Sequence, residues 1–291
     1  MRTKEKWIEI VMMCCSFVTI LTTISIIFVL SVDTIKFFSQ VSIVDFFTDT
    51  QWTPLFADKH FGILPLLSGT LLTTTIAILF AVPLGLTIAV YLNEYASPKF
   101  TSVVKPVLET LASIPTVVYG FFALQFVTPL LRSFIPGLSG FNALSPGLVM
   151  GVMIIPYITS LSEDALRAVP QSLREASLGM GATKYQTAFR VMVPAASSGI
   201  IISIILAISR ALGETMIVAI AAGQEPNLTF NPLNSVETIT TYIVQVSMGD
   251  VPQNSLEYRT IFAAGMTLFV FTFILNNISF WMREKFQNKY E

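Results

Sequence analysis

The 291 residues include 53% hydrophobic and only 12% charged side chains, with a mean hydropathy of +0.71. This balance excludes an ordinary soluble domain and points to an all-α integral membrane protein. The formal net charge of −1 is spread among loops without a basic patch, so nothing in it marks a nucleic acid or acidic partner.

Six apolar runs are long enough to cross a bilayer, at residues 8–38, 64–92, 104–131, 146–161, 195–223 and 260–282, given that about 20 apolar residues span a ~30 Å hydrocarbon core. The start, MRTKEK followed by oil, mimics a signal peptide. Its apolar run is too long and lacks a small-residue cleavage site, so an uncleaved first helix is predicted. Cys14 and Cys15 are adjacent within it, too close for a staple and without metal-ligating company, and read as lipid-facing or packing residues. In the second run, Thr73, Thr74 and Thr75 can bond to their own helix, and Pro83 with Gly85 bends it. In the third, Glu109, Ser113, Thr116 and Gly120 are spaced for one helical face. Pro115 would interrupt the ladder there and free a carbonyl. Glu109 reads equally as a pathway residue or as the partner of a basic loop residue. Pro156 interrupts the fourth run, the shortest of the six.

Six crossings place both termini on one side. Arg2, Lys4, Lys6, Lys99, Lys105, Arg167, Arg174, Lys184, Arg190, Arg283, Lys285 and Lys289 then share one face, against Lys36, Lys59, Arg132 and Arg259 on the other. The positive-inside rule therefore predicts cytoplasmic termini. Segments 39–62, 132–145 and 224–258 fall outside, where His60 reads as a surface residue. Residues 235–249 show helical apolar spacing at Ile239, Tyr242, Ile243 and Val246.

The fifth run, Ala195 to Gly223, contains Arg210 and Glu214 and no other charge. As one helix it would reach about 43 Å, with Arg210 near its middle. An arginine there costs about 2.5 to 3.5 kcal/mol on insertion scales, so it needs a partner or a wet cavity. Glu214, at i+4, is the predicted partner, and Ser203, Ala207 and Gly213 fall on or beside the same stripe. The pair reads either as a structural ion pair or as an anion path. In a path, the guanidinium fork would receive phosphate oxygens. Glu214 would accept a hydrogen bond from a protonated oxyanion while repelling sulfate, or would hold Arg210 when the path is empty.

Residues 164–194 form the one long inside loop. Pro170 can open a helix, and Gly179 and Gly181 can stop it. A second helical piece returns to Pro194. Such a hairpin has no domain of its own chain to pack against, which implies a cytoplasmic partner. The chain shows no nucleotide-cradling loop, since the glycines and lysine of GMGATK (Gly179 to Lys184) have the wrong spacing.

This loop resembles the EAA motif of ABC importer permeases. It stands as Glu175-Ala176-Ser177, then Gly181, then Val191, Val193 and Pro194, with Ser177 and the two valines as close-sized departures. The resemblance extends over 61–96, 108–124 and 209–216 and narrows to the phosphate permeases, of the PstC type more than the sister PstA type. It implies a type I importer permease (MetI-like) fold as a single domain over 1–291. It further implies a heterodimer with a PstA-type subunit, two PstB-type ATPase subunits that bind the ATP and magnesium, and a PstS-type extracytoplasmic binding protein. In the family the EAA helix sits in a cleft of the ATPase, so Glu175, Ala176, Ser177, Gly181 and Pro194 would transmit nucleotide-driven closure, with no cofactor or metal in this chain. Arg210, Glu214, Ser203, Gly213, Glu109, Ser113 and Thr116 are the predicted pathway residues. Competing readings are a permease for sulfate or molybdate and a self-sufficient secondary transporter, in which Glu214 would titrate.

Overall fold

The computed structural model describes residues 2–253 and 255–287. Lys289, one of the basic residues counted toward the inner face, lies outside them, as do the side chains of Arg2, Lys4, Arg283 and Lys285. Apart from two isolated bridges, the regular structure is helical. Helix α1 (Arg2–Phe38) is followed by a short α2 (Ile43–Thr48), the long α3 (Leu64–Glu94) and α4 (Pro98–Ser113). Then come α5 (Thr116–Phe122), a π-helical turn at Ala123–Val127, α6 (Thr128–Phe134) and α7 (Leu144–Arg167). Helices α8 (Gln171–Gly179) and α9 (Lys184–Thr187) precede a second π-turn at Ala188–Met192 and α10 (Val193–Ala195). The chain closes with α11 (Ser197–Leu212), α12 (Met216–Ala221), α13 (Ile239–Met248) and α14 (Leu256–Gln287).

Five stretches are long and apolar enough to cross a membrane: Lys6–Phe38, Leu64–Glu94, Thr116–Phe134, Leu144–Arg167 and Leu256–Trp281. A sixth arises if Lys184–Ala195 and Ser197–Leu212, bent by 71° at their junction, are taken as one span. Two expected runs are corrected. The third does not begin at residue 104, because Ile114 (ψ 130°) and Pro115 (ψ 135°) leave the helical region and separate α4 from the span. The fifth is not continuous over 195–223, because it bends before Ser197 and breaks after Leu212. Proline and glycine account for two of these three interruptions: Pro115 cannot donate to the ladder, and Gly213 is a poor helix former.

Helices α3 and α7 form the centre of the bundle, and small residues let them approach. A side chain at Gly147 would meet Ile76 at 2.8 Å, and one at Gly151 would meet Phe80 at 2.9 Å and the Ala77 carbonyl at 3.0 Å. Gly85 lies equally close to Ile158. In lipid, where tails are as apolar as leucine, such close packing is a main source of helix association. By contrast α1 shows an exposed surface from Lys6 to Val29, Cys14 and Cys15 included. At its far end Phe37 joins an aromatic cluster with Phe46, Trp52 and Tyr242. That cluster fastens α1, α2 and α13 together at one end of the bundle.

The glycine contacts yield a prediction. Gly151→Leu should cost about 1–3 kcal/mol or more by forcing α7 off α3, read as a lower midpoint of thermal unfolding in detergent. Gly179→Ala, where nothing lies within 4 Å of the new carbon, should leave the midpoint nearly unchanged.

Candidate functional site

Helix α11 turns Ser203, Ala207 and Ala211 into the core, with Ser203 Oγ 2.8 Å from Ser162 Oγ of α7. It stops at Leu212, where Gly213 caps it at φ −88° and ψ 0°. Arg210 occupies the last turn, where the helix dipole favours a cation. Its guanidinium reaches Met153 Sδ of α7 at 4.0 Å, and the residue is otherwise exposed. Glu214 follows the break and is 8% exposed. Its Oε1 accepts from the Ile217 N–H at 3.4 Å, and its carbonyl accepts from Thr240 Oγ1 of α13 at 2.8 Å.

The predicted Arg210–Glu214 pair is therefore corrected. Residues four apart meet only on an unbroken helix, and the break after Leu212 sends the two side chains to different neighbours. None of the ion pairs among the described residues joins them. The predicted stripe separates in the same way: Ser203 is buried against α7, whereas Gly213 is exposed at the break.

The third-span candidates divide as well, because the expected single face does not survive Pro115. Glu109 and Ser113 are exposed on α4, and Thr116 lies half-buried at the start of α5. Gly120 packs directly on α12, since a side chain there would meet Ile220 at 2.8 Å. The carbonyl freed by the break, that of Leu111, accepts from the Tyr119 hydroxyl at 2.8 Å. Glu109 lines a cleft of about 260 Å³ between α4 and α7, together with Lys105, Ala112, Pro156, Tyr157 and Glu163. Pro156 lies three residues along α7 from Met153, so the cleft and Arg210 border adjacent stretches of that helix.

Helices α8 and α9 form the predicted hairpin. Gly181 turns it at φ +88°, a conformation that side chains disfavour. Ser177 Oγ lies 2.9 Å from Thr187 Oγ1 across the hairpin, and Thr183 with Gln186 closes a capping box. Glu175 accepts from Gln171 at 2.9 Å. Ala176 is exposed, as are Leu173, Leu178, Met180 and Tyr185. Pro194 lies in α10, just before the 71° bend into α11.

Three buried carboxylates escaped the sequence reading. Glu163 is 1% exposed and takes Lys105 at 2.9 Å on one oxygen and Arg167 at 2.7 Å on the other. Glu94, the last residue of α3, takes Arg174 of the hairpin at 3.0 Å. The Glu163–Arg167 spacing of four was a visible signal, whereas the Glu94–Arg174 pairing had none. Glu237 is 2% exposed, and its Oε1 has no hydrogen-bond partner. Burial pushes its carboxyl up to about 8. Of the outside groups, His60 is half-buried, with Nδ1 2.8 Å from Asp49 Oδ2. The apolar spacing in 235–249 appears as α13, which buries Ile239, Tyr242 and Val246.

A bundle of apolar helices long enough to span a membrane, one of them broken beside an exposed arginine, with a surface hairpin helix that buries none of its residues, suits a membrane transport subunit. The chain belongs to the family described as the binding-protein-dependent transport system inner membrane component, whose model matches residues 81–289. It is 37% identical over 223 residues (77% of this chain, 72% of the other) to a probable ABC transporter permease protein, YqgH, of Bacillus subtilis. It is 33% identical over 253 residues (79% and 75%) to the phosphate transport system permease protein PstC of Mesorhizobium japonicum. Among solved structures, a bacterial ABC transporter importing the acidic polysaccharide alginate aligns with a TM-score of 0.64 at 17% identity, covering 95% of this chain and 96% of that one. The MetNI methionine ABC transporter aligns with a TM-score of 0.57 at 18% identity, covering 77% and 97%. These likenesses establish the type I importer permease fold. Family membership makes the chain a transport subunit of the inner membrane and sets the secondary-transporter reading aside.

The Glu237 environment fixes the sign of a pH effect. The folded state keeps that proton up to about pH 8, whereas an unperturbed carboxyl of this kind loses it near 4.5. Between these values the unfolded chain releases a proton that the folded chain retains, so stability falls as pH rises through that window. Thermal unfolding of Glu237→Gln should accordingly show a flatter pH profile than the native chain between about pH 5 and 8.

Proposed function

We propose that the chain is a permease subunit of an ATP-driven importer of inorganic phosphate. It pairs with a second, PstA-type permease, is driven by two PstB-type ATPase subunits and is loaded by a PstS-type binding protein. Support for the substrate comes from several PstC relatives at 30–33% identity over 77–81% of the chain. The observation that carries the mechanism is Arg210, a cation exposed at a helix break with no carboxylate partner among the described residues.

On this reading Arg210 receives the anion. Its planar fork suits two phosphate oxygens, and the uncovered main chain around Gly213 supplies further polar groups at the same level. Glu214 takes a different part from the one its spacing suggested. Tied to the Ile217 N–H and, through its carbonyl, to Thr240, it holds the break in shape and leaves Arg210 free for substrate. Ser203, buried against Ser162, supports α11 from behind. Gly213 keeps the break open, and Ser113, Thr116 and Glu109 border the approach along α4 and α5.

The hairpin is the ATPase contact. Its exposed Glu175, Ala176 and apolar neighbours present a surface that this chain leaves uncovered, and the turn at Gly181 sets its shape. With the hairpin on the cytoplasmic side, both termini are cytoplasmic, and segments 39–62, 132–145 and 224–258 face the binding protein. Nucleotide-driven closure then moves the hairpin as a rigid body against the spans.

Uptake of labelled phosphate by the complete transporter tests this. Arg210→Ala, at equal membrane levels, should lower uptake about tenfold or more, the worth of a hydrogen bond to a charged group, while unlabelled sulfate leaves native uptake intact. Full uptake in Arg210→Ala would reduce the arginine to a packing residue, and uptake of sulfate in place of phosphate would move the substrate to another oxyanion. Glu175→Lys combined with Gly181→Asp should cut both uptake and substrate-stimulated ATP hydrolysis by about tenfold.

A further inference from the structure

Helix α8 has nine residues and none of them is buried, so packing holds it only weakly to the rest of the chain. The returning arm is different. Ala188, Met192 and Ala196 are buried with Ala89, Val90 and Leu166 of α3 and α7. Among the described residues, the hydrogen bonds of α8 otherwise stay within the hairpin, to Gln171, Thr187 and neighbouring main chain. The exception is Arg174, whose Nε donates to Glu94 Oε2 at 3.0 Å.

The site of that contact is unusual. The Glu94 side chain is 2% exposed, whereas that of Arg174 is 33% exposed. The second carboxylate oxygen accepts from Asn93 Nδ2 at 2.9 Å. Glu94 is the last residue of α3, and α4, which lines the cleft against α7, begins at Pro98. Apolar faces can slide past one another at little cost. A buried carboxylate cannot shed its cation without leaving an uncompensated charge in a poorly solvated site. The end of α3 must therefore follow α8 when α8 moves.

We infer that the Glu94–Arg174 ion pair is the tie through which movement of α8 reaches α3 and the start of α4, and that it sets how much transport each ATP delivers. This rests on the reading of the hairpin as the ATPase contact. Glu94 and Arg174 act as positioning residues, touching neither substrate nor nucleotide. Arg174 precedes Glu175 in sequence, so the residue facing the partner and the residue gripping the span are adjacent.

The test uses the complete transporter in proteoliposomes, with phosphate imported per ATP hydrolysed as the readout. Removing both charges together, Glu94→Gln with Arg174→Met, avoids a lone buried charge. This variant should still bind its ATPase and hydrolyse ATP, while import per ATP falls about tenfold and stimulation by loaded binding protein is lost. Arg174→Lys, which keeps the charge, should retain most of the native ratio. A native ratio in the neutral pair would overturn the inference. So would failure of the neutral pair to bind the ATPase, which would make the ion pair a scaffold of assembly. Absence of stimulation in the native complex would overturn the importer reading itself, and the tie with it.

Discussion

A bilayer offers no hydrogen bonds to a main chain, so each interruption of a spanning helix must be closed by the protein itself. At three interruptions in this chain a side-chain hydroxyl donates to a main-chain carbonyl. Tyr119 donates to the Leu111 carbonyl beside Pro115, and Thr128 donates to the Ala123 carbonyl within the π-turn. Thr240 donates to the Glu214 carbonyl after the break at Gly213. The last of these donors comes from α13, outside the spans. Without that outer helix the break would expose an unsatisfied carbonyl, so the break and α13 are parts of one device. The same constraint explains why Glu214 is occupied with local structure, while Arg210 has no carboxylate partner among the described residues.

Buried acids show how differently one residue type can be used. Glu163 and Glu94 carry cations, each joining an element that packs poorly to one that packs well: α4 to α7, and α8 to α3. Glu237 has no cation beside it among the described residues, and burial pushes its carboxyl up to about 8. Neutralising it this way avoids most of the cost of a charge in an apolar site. It also places a titratable group three residues before Thr240, the threonine that bonds the Glu214 carbonyl at the break.

The legible parts of the sequence were those governed by local rules. Apolar run length located four of the six spans, Gly181 marked the hairpin turn, and the spacing of Ile239, Tyr242 and Val246 marked α13. The illegible parts depended on where helices stop. Periodicity carries the Arg210–Glu214 stripe through Gly213 because a single glycine in an apolar run weakens a helix by only about 1 kcal/mol relative to alanine. Tertiary contacts decided otherwise, since Gly120 brings Ile220 of α12 close and Thr240 holds the kinked main chain. Pro115 was legible as a freed carbonyl but not as the end of a helix. Glu94 and Arg174 lie eighty positions apart, and no local rule could have joined them.

Helix α11 gives these separate features a common mechanics. Its first turn meets the hairpin's returning arm at the 71° bend, and its last turn carries Arg210. At about 1.5 Å per residue its length is roughly 24 Å. It is an unbroken rod with no proline, and its buried face is locked to α7 by Ser203 and small residues. Displacement at the hairpin therefore cannot be absorbed by bending within α11. On the proposed coupling it would appear as tilt or translation of α11 together with α7 at Arg210, beside a break whose Glu214 carbonyl is held by Thr240 of α13. On the proposed reading the bend before the rod and the break after it would act as hinges, with Arg210 beside the second of them.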